Sequence, residues 1–144
     1  MTVAERDDLA DVWSRIQSLV LRNDMRAEVS ETLGLSFVKA RALRRLRPGP
    51  LTMRELAEAL STDKPYLTLI VDSLEELGLV TRTISPQDRR SRIVELTETG
   101  RQTAERADEI VNRPPAALSA LAPEDLADLA RILRSLPDNR AQRG

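Results

Sequence analysis

This chain of 144 residues contains no cysteine and no histidine. The first absence excludes disulfides and thiol redox sensing. Together the two exclude zinc sites built from Cys or His and any triad that needs a histidine base. Aromatic residues are nearly as scarce, since Trp13, Phe37 and Tyr66 are the only three. A core must then be built from Leu, Val, Ile and Ala, which suits packed helices. No Gly-rich phosphate-binding motif occurs, and no carboxylate or lysine pair stands at a spacing that points to catalysis. An enzyme is not expected, and no catalytic residue, cofactor or metal ligand is assigned. No apolar run approaches the ~20 residues needed to span a bilayer. The first residues, Met1 to Asp8, lack the basic and apolar regions of a signal peptide. The expectation is a cytoplasmic protein with no membrane partner.

Net charge is only −1, but it is unevenly spread. Residues 39–101 carry 12 Lys and Arg against 9 Asp and Glu, a net of +3, and the remainder is −4. A local basic patch of this kind attracts phosphate even when the whole chain is nearly neutral.

Helical spacing of Leu9, Trp13, Ile16 and Val20 predicts one long helix from about residue 4 to residue 33, stopped by Gly34. Ser36 can cap a second helix with Phe37, Ala40, Leu43 and Leu46 inward. Its other faces hold Lys39, Arg41, Arg44, Arg45 and Arg47, either solvated or facing a polyanion. Pro48-Gly49-Pro50 ends that helix. Thr52 and Glu55 have capping-box spacing for a short helix to Leu60. Ser61 or Thr62 can cap the next, with Pro65 tolerated in its first turn and Gly78 closing it. On that helix Leu67, Ile70, Val71, Leu74 and Leu77 share the core face. Thr97 can cap a further helix to about Val111, which Pro114-Pro115 breaks. The last helix starts at Pro123 and uses Leu126, Leu129, Leu133 and Leu136 as its apolar side, before a polar tail from Pro137.

Between Val80 and Leu96 the pattern changes. Two short strands flank a polar loop with Arg89, Arg90 and Arg92 at its tip, and Val94 and Leu96 alternate with polar neighbours. A hairpin tipped with arginines directly after two short helices is the layout of a winged helix, a DNA-reading module. Recognition helices read base edges with their N-terminal residues. The candidates are therefore Thr62, Lys64, Pro65, Tyr66, Thr68 and Leu69, while Leu69 can alternatively pack on a neighbouring helix. Only Lys64 among them can make a charged contact to guanine, and Leu69, Pro65 and Tyr66 suit thymine methyl groups better.

Asp88-Arg89-Arg90, then Leu96-Thr97 and Gly100, resembles the Asp-x-Arg…Leu-Thr-x-x-Gly signature of the MarR family of bacterial transcriptional regulators. Leu56-Ala57 and Leu74 to Val80 are similar to that family's helix-turn-helix, and the likeness runs from about Leu33 to Gly100. It implies a mainly α fold with a small β-hairpin wing, in a single domain of residues 1–144. Residues 36–97 would form the winged helix-turn-helix core, and 1–34 and 98–144 mainly dimerisation helices. The resemblance assigns Arg90 to the minor groove and Asp88 to orienting it, leaving Arg89 and Arg92 for phosphates. Leu9, Trp13, Ile16, Leu126, Leu129, Leu133 and Leu136 become dimer contacts. The implied partners are double-stranded DNA, a second copy of the chain, and a small aromatic or lipophilic effector. Trp13, Met25 and Phe37 can line a pocket for that effector, with plain core as the alternative for each. The implied function is a ligand-responsive repressor binding an inverted-repeat operator as a homodimer. The alternative is a winged-helix adaptor that binds protein instead of DNA.

Overall fold

The computed structural model describes residues 1–137, and the polar tail expected beyond Pro137 lies outside the described residues. The chain divides into two compact units, Met1–Arg113 and Pro114–Gly144. The first opens with α1 (Val3–Arg22), started by a reciprocal capping box between Thr2 and Glu5. One helix over residues 4–33 was the expectation, but the chain breaks at Asn23–Met25. The Asp24 carboxylate accepts the Arg26 N–H at 3.0 Å, a local bond that competes with helical continuation and starts α2 (Arg26–Leu33) anew. Gly34, at φ 66°, ends α2 as anticipated.

Ser36 caps α3 (Phe37–Arg45), and Ala40, Ala42, Leu43 and Leu46 are buried. Next come β1 (Leu51–Thr52), α4 (Met53–Leu60), α5 (Lys64–Glu76), β2 (Val80–Ile84), β3 (Arg92–Leu96) and α6 (Glu98–Val111). The three strands form an antiparallel sheet in the order β1-β3-β2. The two-residue β1 was not anticipated. Following Pro50 and ending on Thr52, which also caps α4, it is too short to show a period of two.

The main core is Leu43, Leu56, Leu67, Val71 and Leu74 closed over by Val80 and Val94. Leu77, the C-cap of α5 at the margin of its apolar face, does not join it, and its side chain stays exposed. A second cluster of Val29, Ala40, Ala107 and Ile110 joins α2, α3 and α6, with Met25 and Phe37 packed against it. Both residues are partly buried there. Trp13, on a helix that buries no residue, is 58% exposed and shares neither cluster with them.

Asp108 of α6 accepts the Arg44 Nε at 2.5 Å and also pairs with Arg47. These two arginines of the basic run therefore tie α3 to α6 rather than standing solvated or facing a polyanion. In the second unit, α7 (Ala116–Ser119) was not foreseen, and α8 (Pro123–Ser135) follows it. The leucines expected on the covered side of α8 are not buried in the single chain. Leu126, Leu133 and Leu136 are about half exposed and Leu129 is partly covered. Among the described residues no helix is long and apolar enough to cross a membrane.

Four hydrogen bonds build the junction between the end of α5 and the start of α6, two of them crossing from one to the other. Thr97 N–H donates to the Leu79 carbonyl (3.0 Å), its hydroxyl donates to the Gly78 carbonyl (2.6 Å), and its Oγ1 accepts the Gly100 N–H (3.0 Å). Leu79 N–H returns to the Leu74 carbonyl (3.0 Å), with Gly78 at φ 73° making the turn. The backbones approach so closely that a Cβ at position 100 would lie 1.8 Å from the Leu79 carbonyl oxygen. Gly100→Ala must force the two apart and is expected to destabilise the protein by about 1–3 kcal/mol or more. Urea unfolding followed by circular dichroism checks this, and an unchanged midpoint would contradict it.

Candidate nucleic-acid interface

The reading helix is set by its caps. Thr52 and Glu55 exchange capping bonds at 3.1 and 3.3 Å to start α4, and Ser61 ends it in a left-handed conformation at φ 52°. Ser61 and Thr62 were both candidates to cap α5, but the cap is Asp63, whose carboxylate accepts the Tyr66 N–H at 2.8 Å. Ser61 is consumed in closing α4, so the cap falls further along. Pro65 sits in the first turn of α5, where its missing N–H costs nothing.

On α5, Leu67, Ile70, Val71 and Leu74 are buried as expected. Leu69 is 67% exposed, which removes the alternative that it packs on a neighbouring helix within the chain. The Thr68 hydroxyl donates back to the Lys64 carbonyl at 3.0 Å.

The wing is a hairpin in register from Val80↔Leu96 to Ile84↔Arg92. Its loop is organised by its own polar groups. Ser85, which is buried, donates its N–H to the Ser91 carbonyl, and Ser91 N–H donates to the Asp88 carbonyl, both at 3.0 Å. The Asp88 carboxylate accepts the Arg90 N–H at 3.0 Å and the Ser91 hydroxyl at 3.4 Å. The expected Asp88 contact to the Arg90 guanidinium is absent. A carboxylate two residues before a backbone N–H readily closes a local turn with it. Asp88 thus holds the loop, and the loop presents Arg90. The Arg92 guanidinium donates to the Arg89 carbonyl at 3.1 Å.

Arg82 fastens the wing to α5. Its guanidinium meets Asp72 at 2.5 Å and Glu75 at 3.5 Å. The hydrogen bond that Arg82 donates to Asp72 raises the Arg82 pKa above its ordinary value, with Glu75 adding to the effect. Sequence reasoning missed this residue although the signal was present. Strand alternation puts Arg82 on the same side as buried Val80, and an arginine on the covered face of a strand requires a partner.

Between α4, the first turns of α5 and the wing lies an open groove of about 760 Å³. Thr62, Lys64 and Thr68 line it from the helix side, and Arg90, Ser91 and Arg92 from the wing. Arg54 and Arg82, neither of them anticipated, complete its cationic lining. Pro65, Tyr66, Leu69, Asp88 and Arg89 lie outside this groove. Arg54 is matched by Glu58 at 3.5 Å and Arg82 by Asp72. Among the described residues, Lys64, Arg89, Arg90 and Arg92 make no ion pair with a carboxylate. The groove thus holds three uncompensated cations, Lys64, Arg90 and Arg92, facing solvent, a field suited to a polyanion. No cluster of metal-ligating side chains occurs among the described residues.

A helix-turn-helix followed by a basic hairpin defines the winged-helix class. Residues 33–91 match the model of the MarR family. The fold is similar to the YusO protein of Bacillus subtilis, at 25% identity and TM-score 0.71 over 100% of both chains. It is also similar to the transcriptional regulator BldR of Sulfolobus solfataricus, at 28% identity and TM-score 0.60 over 94% of this chain and 99% of that one. A mutant MarR of E. coli complexed with operator DNA matches at 25% identity and TM-score 0.62, over 91% of this chain and 97% of that one. The winged-helix segment of this chain is thus similar to the MarR family over residues 33–91, and the chain has the fold of the solved MarR structure.

Asp88→Ala removes the acceptor for the Arg90 N–H. It is expected to cost the loop about 1 kcal/mol and to speed exchange of the Arg90 amide roughly fivefold. Hydrogen exchange by NMR reads this directly, and an unchanged rate would contradict the loop-holding role.

Proposed function

We propose that this protein is a sequence-specific DNA-binding transcriptional regulator that acts as a homodimer on an inverted repeat. The observation that carries the reading is the groove in which Lys64 of α5 and Arg90 and Arg92 of the wing stand together without carboxylate partners. The first turns of α5 enter the major groove, and Arg90 at the wing tip reaches the adjacent minor groove. Lys64, Arg89 and Arg92 take phosphates, contacts that position without specifying. That the E. coli relative is described in complex with operator DNA supports the assignment.

Dimerisation follows from apolar stripes that the single chain leaves open. On α1 these are Leu9, Val12, Trp13 and Ile16, and on α8 Leu126, Leu133 and Leu136. Stripes of this extent call for burial against a partner, and a second copy of the chain supplies matching ones. Residues 1–34 and 98–144 then serve mainly as dimerisation helices. The expected mode is repression relieved by a small aromatic or lipophilic ligand. Without cysteine or histidine, the chain has no route to thiol oxidation or a Cys/His zinc site as its switch.

In vitro selection of bound duplexes tests the reading. Recovery of an inverted repeat, with affinity falling steeply as salt rises, is expected, and recovery of no preferred sequence would contradict it. On the selected duplex, Arg90→Ala should weaken binding by about 1–3 kcal/mol, most strongly with A·T-rich flanks. Arg92→Ala should weaken all sequences evenly and lower the salt slope by about one unit. Identical behaviour of the two variants would remove the division of roles.

A further inference from the structure

We propose that Leu69 reads thymine through its C5-methyl group, so that one position of each half-site is specified by apolar contact rather than by hydrogen bonding. The inference rests on the DNA-reading role proposed above and adds the chemistry of the base that is read.

Two observations meet at Leu69. The first is its exposure. Four apolar residues of α5 are buried, whereas Leu69 is 67% exposed on the opposite side. At 3.6 residues per turn, Pro65 and Tyr66 flank it within about 60° around the helix. The outward face of the first two turns is therefore a Pro-Tyr-Leu surface. Leaving a leucine in water forgoes the free energy of burying it.

The second observation is how few free hydrogen-bonding groups surround it. The Asp63 carboxylate is occupied by the Tyr66 N–H, and the Thr68 hydroxyl proton by the Lys64 carbonyl. Asp72, one turn further along the same face, is held by Arg82. What remains near Leu69 is the Lys64 ammonium, the Tyr66, Thr62 and Ser73 hydroxyls and, two turns on, the Glu76 carboxylate, with no arginine, asparagine or glutamine on α5. On such a surface only Lys64 can reach guanine O6 and N7, less rigidly than an arginine would, and no side-chain amide is present to read adenine.

In the major groove, the thymine C5-methyl is the hydrocarbon group among the base edges of the four pairs. Leucine set against it removes apolar surface from water on both partners. Set against guanine O6 and N7, the same leucine strips water from two acceptors and returns nothing, which is unfavourable. Preference for thymine and rejection of guanine thus come from one side chain.

Deoxyuridine differs from thymidine only by the missing methyl, so it removes the contact without changing the pairing edge. Duplexes selected by the wild-type protein are resynthesised with each thymine in turn replaced by deoxyuridine, then titrated with wild type and with Leu69→Ala. At one thymine per half-site, wild type is expected to bind the deoxyuridine duplex about fourfold more weakly, the worth of about one buried methyl group. Leu69→Ala, folded by circular dichroism because the residue is exposed, should bind both duplexes equally at that position. Wild type indifferent to every replacement would overturn the proposal, as would Leu69→Ala retaining the full discrimination. If wild type bound no duplex selectively, the DNA-reading role itself would fall, and this inference with it.

Discussion

The arrangement of the reading elements depends on one close approach, that of the Gly100 backbone to the Leu79 carbonyl. Only a residue without a Cβ lets α6 begin there. Once it does, the Thr97 hydroxyl reaches the Gly78 carbonyl and Thr97 N–H reaches that of Leu79. The turn that ends α5, the first residue of β2 and the first turn of α6 are thereby a single hydrogen-bonded unit. The helix proposed to enter the major groove, the strand that carries the wing and a helix that continues toward the second core cluster all leave from it. Ligand control at a distance from DNA needs mechanical continuity of this kind, since an effector acts only through its different affinities for two arrangements.

Arginine serves two purposes in this chain, and its pairing separates them. Arg44 and Arg47 share Asp108, Arg82 takes Asp72 and Glu75, and Arg113 reaches Glu28 at 2.5 Å. Each of these joins elements distant in sequence, and the partly screened ones contribute packing and orientation as much as charge. Among the described residues the wing arginines Arg89, Arg90 and Arg92 pair with no carboxylate. A chain with a net charge of −1 can thus present an uncompensated cationic edge, because its acids lie elsewhere in the fold.

What could be read from the sequence was local. The Thr52–Glu55 box, the Ser36 and Thr97 caps, the glycine stops at Gly34 and Gly78 and the wing hairpin all involve residues a few positions apart, and all stand in the structure. The misses have physical causes. A long apolar repeat concealed the break at Asn23–Met25, because apolar spacing carries no information about the local bond from the Arg26 N–H to the Asp24 carboxylate. Leu77 fitted the wheel of α5 only at the margin of its apolar face, and as the C-cap it lies at the helix end, where it stays exposed. The bond from Asp88 is to a backbone N–H, where side-chain chemistry alone suggested a guanidinium. Arg82 with Asp72, and Arg44 with Asp108, meet across 10 and 64 residues, and no local pattern joins them. In the groove, Lys64, Arg90 and Arg92 were legible as charges, whereas Arg54 and Arg82 entered only when the hairpin folded against α4 and α5.

The central claim is that two copies of this groove read two half-sites at a fixed separation. A two-fold dimer places its reading helices about 34 Å apart, one turn of B-DNA. The most direct measurement is the affinity for a series of duplexes in which the spacing between the selected half-sites is changed one base pair at a time. The account predicts tight binding at the native spacing and a collapse toward single-half-site affinity when about five base pairs are added, since the second half-site then lies on the opposite face of the helix. Affinity independent of spacing, or equal for one half-site and two, would contradict it.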